Sequence, residues 1–361
     1  MTVCIRIVTS LFFLIALSPL ALAGGIPQND VARYLAGLEP VAQSPVQALA
    51  QEPAWVTHAE QFGASWARLE KNQLEPVRAW AAAHLGPPSD TLLYMFSGPD
   101  YLYAHNFFPH AKTYVLAGLE PPGRLVRLNQ LTSEERQKGL ESLRESMKTI
   151  MDASFFITAD MLKDLQGHAF SGVLPVLYVF LARSGMEILD VRHVGLREDG
   201  DTFVMPGPAR TRPNGIEIIF NDRARGTERR LFYFSIDLSN AGLSDGAFAK
   251  FIEKQGKADA FFKSASYLPH AENFLRIRTL IKAQSARILQ DDTGVPFIAY
   301  DQSRWQVQPF GRYTRPIQMF DYMFQPALAK LFESGSPAPI NFRLGYGYGI
   351  STTGILLATR R

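Results

Sequence analysis

Two acidic residues each follow a short apolar segment of this sequence. Asp100 comes after residues 92–96 and a Ser-Gly-Pro break, and Glu120 comes after residues 114–116. Apolar runs bounded by Gly and Pro indicate buried strands. If these strands are parallel neighbours, both acids emerge at their carboxyl ends, where open α/β sheets usually bind ligands. Two carboxyl groups roughly 5–10 Å apart can act as the proton donor and acceptor of a hydrolase, so both acids are candidate catalytic residues.

The segment between the two strands predicts a short helix. Pro99 suits the first turn because its missing N–H is not needed there, and Asp100 suits the positive end of the helix dipole. We expect four further side chains to line the crevice as ligand-binding residues: Ser97, Tyr101, Tyr103 and His105. The alternative is that Asp100 only caps the helix and Glu120 only lines the turn before the following Pro-Pro-Gly.

Nucleotide and S-adenosylmethionine sites have a similar order of elements: a strand, a glycine turn, a helix and a second strand that ends in an acid. Here the turn has only Gly98, followed by proline, so the glycine-rich surface that lets backbone amides approach a phosphate is missing. We therefore expect no cofactor. Asp100, His105 and His110 are close in sequence, but no H-E-x-x-H or comparable pattern occurs, and we expect no metal site.

Residues 167–172, with the letters GHAFSG, are similar to the Gly-His-Ser-x-Gly-Gly elbow of the α/β-hydrolases. In that elbow the nucleophile follows the histidine, and here that position is Ala169, which cannot attack a carbonyl. Ser171 is displaced from the nucleophile position. We therefore assign neither His168 nor Ser171 a catalytic role.

Residues 1–23 have the pattern of a secretory signal peptide. Arg6 precedes an apolar run, and Ala21-Leu22-Ala23 is an A-x-A cleavage pattern. The only cysteine, Cys4, falls inside this segment, so the expected mature chain excludes disulfides, cysteine nucleophiles and thiolate metal sites. No later apolar run reaches the length of a membrane span. The expectation is a soluble periplasmic or secreted protein.

Charge and composition bound the function further. The net charge of +3 is spread along the chain and argues against a nucleic-acid partner. A content of 47 % hydrophobic and 12 % aromatic residues is enough to build a large core without disulfides. The expected partner is a small molecule or an envelope ligand.

The chain divides into three parts in this interpretation. After the signal peptide, residues 24–88 are predicted to be an N-terminal helical extension, and residues 89–361 an α/β domain. The fold expected is a Rossmann-like centre within a mixed, partly antiparallel sheet flanked by helices. We also expect a helix that starts at a capping box at Thr132, a hairpin of residues 215–220 and 230–238, and a last strand over residues 340–349. Residues 291–294 should form a tight turn, and the alternative is that their two acids contact a cation or a sugar hydroxyl.

Several short sequence motifs resemble those of a group of exported bacterial proteins of unknown function. They are Phe96-Ser97-Gly98-Pro99-Asp100-x-Leu102-Tyr103, then Phe107-Phe108-Pro109, Tyr114 and Gly118-Leu119-Glu120-Pro121, with residues 288–296 belonging to the same pattern. The resemblance implies export from a bacterium and brings no catalytic residues. The function expected is binding of a small molecule or glycan in the crevice, and the alternative is a cell-envelope hydrolase using the carboxylate pair.

Overall fold

The structure is a computed structural model that describes residues 25–155, 170–207, 214–346 and 349–361. The predicted signal peptide and residues 167–169 of the GHAFSG segment lie outside the described residues. The strands are β1 Thr91–Met95, β2 Thr113–Gly118, β3 Met186–Leu196, β4 Thr202–Met205, β5 Asn214–Asp222, β6 Thr227–Ser235, β7 Ala258–Phe262, β8 Ser285–Gln290, β9 Trp305–Gly311 and β10 Gly354–Arg360.

These strands form one mixed sheet in the order β4-β3-β5-β6-β2-β1-β7-β8-β10-β9. The five central strands, β6-β2-β1-β7-β8, are all parallel. Antiparallel strands extend the sheet at both edges. Taken in chain order, the central strands run 3-2-1-4-5, which is the doubly wound order, and the order reverses at β1. The predicted α/β class with a mixed sheet is confirmed.

Helices cover both faces of the sheet. They are α1 Gln28–Leu35, α2 Pro53–Leu69, α3 Glu75–His84, α4 Tyr101–Phe107, α5 Ser133–Ala153, α6 Leu174–Arg183, α7 Ala247–Lys254, α8 Leu275–Gln284 and α9 Pro326–Ser334. Among these described helices, none is long and apolar enough to cross a membrane.

Strands β1 and β2 are buried on both faces, which explains why neither contains a charged residue. In β1, Leu92 and Tyr94 point into one core, and Leu93 and Met95 point into the other. The first core contains side chains of α1 to α6, and the second contains those of α7 and α8. The helices of residues 24–88 therefore pack in the same core as β1.

Several local predictions are confirmed. Thr132 and Glu135 form the predicted capping box at the start of α5. Strands β5 and β6 form the predicted antiparallel hairpin. Asp100 caps α4 by accepting a hydrogen bond from the Tyr103 N–H.

The prediction of a last strand over residues 340–349 is wrong for the described part of that segment. Residues 340–346 form no strand, and β10 follows later, between β8 and β9. The alternating apolar residues Phe342 and Leu344 are both buried in the first core. The backbone of Arg343, between them, forms hydrogen bonds with the side chain of Gln73 and not with a neighbouring strand. The Arg343 N–H donates to Gln73 Oε1 at 3.0 Å, and Gln73 Nε2 donates to the Arg343 carbonyl.

Candidate functional site

A cavity of about 280 Å³ lies at the carboxyl ends of β1, β2, β6 and β7. Most of its walls come from the ends of these strands and the loops that follow them, and Phe274 and Tyr346 join from elsewhere in the chain. The wall residues are Phe96, Gly98, Gly118, Leu119, Glu120, Ile236, Asp237, Leu238, Ser264, Ala265, Ser266, Leu268, Phe274 and Tyr346. The cavity is therefore at the point of the sheet where the strand order reverses, which is where doubly wound folds bind their ligands.

The turn after β1 forms one wall of this cavity. Phe96 and Gly98 both have positive φ, at 59° and 53°. Glycine adopts this conformation easily, but a bulky aromatic residue there is strained. The Ser97 N–H donates to the Ala117 carbonyl at 2.9 Å, which holds the strained turn against the end of β2.

Two glycines lie beside the Glu120 carboxylate. A Cβ placed on Gly118 would lie 2.2 Å from Glu120 Oε2, and one on Gly98 would lie 3.4 Å from Oε1. A contact of 2.2 Å is impossible for real atoms, so a side chain at 118 would force the carboxylate to move. The carboxylate therefore requires glycine at position 118, whereas the 3.4 Å at Gly98 is an ordinary contact distance.

Glu120 itself is buried, with 3 % of its surface exposed, and it lines the cavity. Its Oε2 accepts a hydrogen bond from the Tyr233 hydroxyl at 3.0 Å, and that hydroxyl also lies 2.9 Å from the Glu120 carbonyl. Within the part of the chain that the structure describes, Oε1 accepts no hydrogen bond. A ligand donor in the cavity can therefore bind Oε1.

Asp100 has a different environment. Its Oδ1 accepts from the Tyr103 N–H at 3.1 Å, and its Oδ2 accepts from the Tyr94 hydroxyl at 2.8 Å. The ammonium of Lys263, the residue after β7, lies 2.7 Å from the same Oδ2. Burial raises the pKa of Asp100, and the charge of Lys263 opposes that rise. Burial likewise lowers the pKa of Lys263, and Asp100 opposes it.

Lys263 is held on several sides. Its ammonium lies 4.0 Å from the ring centroid of Tyr103 and donates a hydrogen bond to the Ser154 carbonyl. Only 2 % of its side chain is exposed. The pair of Lys263 and Asp100 therefore joins the end of β7 to the start of α4 inside the core.

The two acids line different cavities. Asp100 and Lys263 line a second cavity of about 40 Å³, which shares the wall residues Phe96, Gly98 and Ser264 with the larger one. Glu120 is a wall residue of the larger cavity and not of the smaller. Both acids do emerge beyond neighbouring parallel strands, but the turn at Gly98 lies between their cavities.

The other predicted ligand-binding residues lie mostly in the core. Ser97 lines the smaller cavity, and its hydroxyl donates to the Gly98 carbonyl at 2.8 Å. Tyr101 and Tyr103 have no exposed surface, and neither they nor His105 line the two cavities.

His105 stacks on the ring of Tyr101, and its Nδ1 lies 3.3 Å and 3.2 Å from the hydroxyls of Tyr101 and Tyr114. Burial, followed by the nearby charge of Arg229, lowers the pKa of His105 to about 3. This histidine is therefore neutral in the folded protein and packs as a core residue.

The turn after β8 stabilises the loop after β7. Asp291 is buried and accepts hydrogen bonds from the Ser264 N–H at 2.8 Å and the Thr293 N–H at 2.9 Å. Residues 292–293 form the turn that the sequence predicted. Burial raises the pKa of Asp291, and it raises that of Asp292 to about 7 together with the charge of Asp291. Asp291 therefore supports the cavity wall through Ser264.

The sequence interpretation missed Lys263, Ser264, Asp237 and Tyr346. One signal for Lys263 was present, because a lysine directly follows the apolar strand Ala258–Phe262. Nothing local indicated that Asp100 is its partner. The described residues contain no group of three or more acidic, histidine or cysteine side chains able to hold a metal ion.

Comparison with protein-family models, curated proteins and solved structures found no match to this chain.

Proposed function

We propose that this protein binds a small hydroxylated molecule, such as a sugar or the end of a glycan, in the cavity of about 280 Å³. The observation that supports this most directly is Glu120, a wall residue of the cavity whose Oε1 accepts no hydrogen bond among the described residues. A ligand hydroxyl can donate to that oxygen, and a hydrogen bond to a charged group is stronger than one between neutral groups.

The walls suit a sugar ring. Phe96, Leu238 and Phe274 offer apolar and aromatic surface, while Ser264, Ser266 and Tyr346 add polar groups. A few convergent polar groups in a largely apolar concave site are the usual composition of a small-molecule pocket. The cavity volume is near the lower end of the range for such pockets, which favours one ring or a short chain of rings.

The alternative of a hydrolase with two carboxyl groups has less support. That mechanism needs Asp100 and Glu120 to face the same bond of the substrate. Both oxygens of Asp100 already have partners, and its cavity has room for little more than a water molecule. We therefore favour binding over hydrolysis, with Asp100 as a residue that holds the turn.

Isothermal titration calorimetry and thermal shift with D-glucose, D-galactose, D-mannose, D-ribose and their methyl glycosides test the proposal. We expect at least one of these sugars to bind, and Glu120→Gln to weaken it by roughly 10-fold or more, since a hydrogen bond to a charged group contributes about 1.5–3 kcal/mol. Glutamine can still accept the Tyr233 hydrogen bond, so the variant should fold. Glu333→Gln, at an exposed position outside the cavity, is the matched control and should bind like the wild type.

Two results would overturn the proposal. One is that no sugar binds to the folded wild-type protein. The other is that binding is equally strong in Glu120→Gln. Mass spectrometry of the sugars and methyl glycosides after incubation checks the alternative, because release of methanol that stops in both Asp100→Asn and Glu120→Gln would favour the hydrolase.

A further inference from the structure

The described walls of the cavity contain acidic side chains and no basic ones. Glu120 and Asp237 contribute carboxylates to its walls, and among the described wall residues there is no lysine, arginine or histidine. The nearby Lys263 lines the smaller cavity, and its ammonium is paired with Asp100 at 2.7 Å. An anionic ligand group such as a phosphate would therefore meet two carboxylates and no compensating charge.

The two carboxylates differ in how they are held. Asp237 is exposed, and its oxygens accept from the N–H and hydroxyl of Ser239, both at 2.9 Å. Glu120 is 97 % buried and has one hydrogen bond to its carboxylate, from Tyr233 to Oε2. A buried carboxylate without a positive partner is unfavourable unless a cation from outside completes it.

Aromatic rings surround the same space. Phe96 and Phe274 pack edge to face with ring centroids 5.5 Å apart, and both line the cavity. The ring of Tyr346 lines it as well. Aromatic faces attract cations through their quadrupole, and this attraction is larger where water is excluded. Hydroxyl groups gain no comparable benefit from the rings, so the walls favour a cation over a neutral polar group.

We infer that the ligand carries a protonated amine beside its hydroxyl groups, as an amino sugar does, with the amine at Oε1 of Glu120. This inference rests on the proposed function, because it names the class of ligand for the same cavity. It predicts selection by charge: the amino sugar binds best, the neutral sugar of the same shape binds less well, and the phosphorylated form binds worst.

Calorimetry with isosteric pairs tests this, because a 2-hydroxyl and a 2-ammonium group differ little in size. The pairs are glucose with glucosamine, galactose with galactosamine, and mannose with mannosamine, and glucose 6-phosphate, which lacks the amine, is the anionic probe. In at least one pair we expect the amino sugar to bind about 10-fold or more tightly than its neutral partner. Glu120→Gln should abolish that difference, and Asp237→Asn should reduce it without affecting the fold. Glu333→Gln should keep it.

Each outcome decides a different point. If neutral sugars bind as tightly as amino sugars, or if the phosphate binds best, the inference about charge is wrong and the sugar-binding cavity remains. If no probe of any charge binds to the wild type, both the inference and the proposed function fail. A charge preference that persists in Glu120→Gln would also overturn the inference, since the amine would then have another partner.

Discussion

Replacing Lys263 with methionine should destabilise the protein strongly. The replacement keeps most of the apolar length of the lysine side chain and removes the ammonium. Among the described residues, this leaves the buried Asp100 carboxylate with the Tyr94 hydroxyl and the Tyr103 N–H as its partners. At an effective dielectric constant of about 20, unit charges 2.7 Å apart attract by roughly 6 kcal/mol before desolvation is counted. Removal of one partner from a buried pair typically costs about 3–5 kcal/mol, which is the loss we expect.

The double variant gives the sharper measurement. Asp100→Asn combined with Lys263→Met removes both charges, and the asparagine oxygen can still accept the Tyr103 hydrogen bond that caps α4. The double variant should therefore be more stable than Lys263→Met alone. Lys138→Met is the control, because Lys138 pairs with Glu134 on the exposed face of α5, and it should leave stability unchanged.

Urea unfolding at pH 7, followed by circular dichroism, gives the free energy of unfolding for each variant. The reasoning is refuted if Lys263→Met loses less than about 1 kcal/mol, or if the losses of the two single variants simply add in the double variant. Additive losses would mean that the two residues do not act as a pair.

Three further predictions concern separate features. His105 should make the protein sensitive to acid, because its pKa of about 3 in the folded protein lies below its ordinary value of 6.5. Its contribution to the free energy of unfolding is complete above pH 6.5 and is lost as the pH falls towards 3, by up to about 1.4 kcal/mol per pH unit. The free energy of unfolding, measured with urea between pH 4 and 7, should therefore depend less steeply on pH in His105→Phe, by the equivalent of one proton. An unchanged pH dependence would contradict this. Gly118→Ala should displace the Glu120 carboxylate and abolish sugar binding in calorimetry. Unchanged affinity would show that sugar binding does not depend on the position of this carboxylate. Thr132→Ala should lose about 1 kcal/mol in urea unfolding because it removes the cap of α5, and a loss near zero would mean that the cap contributes nothing.

The local parts of the fold were predictable because their signals are local. The helix α4 between β1 and β2 is bounded by prolines, and α5 begins at a capping box, so a few neighbouring residues define each element. The parallel pairing of β1 and β2 entered the sequence interpretation only as a condition, and the helical connection between the two strands is compatible with it.

The cavity was less predictable because its walls meet from distant parts of the chain. The first two strands supply Glu120, but Ile236, Ser264 and Tyr346 come from segments more than a hundred residues later, which no short pattern connects. The wrong last strand has a related cause. The alternating apolar residues Phe342 and Leu344 indicated correctly that both side chains are buried. Burial alone, however, does not require that the segment pairs with a neighbouring strand.

The two acids singled out from the sequence have different roles in this arrangement. Asp100 and Lys263 lie on one side of a wall formed by Phe96, Gly98 and Ser264, and the larger cavity lies on the other. Loss of the ion pair should therefore shift the wall and weaken charged and neutral sugars alike. Loss of the Glu120 charge leaves the wall in place, so it should weaken neutral sugars by roughly 10-fold and, in addition, remove the preference for the amine. The ratio of the two affinities, measured in Lys263→Met and in Glu120→Gln, separates a residue that positions the site from one that contacts the ligand.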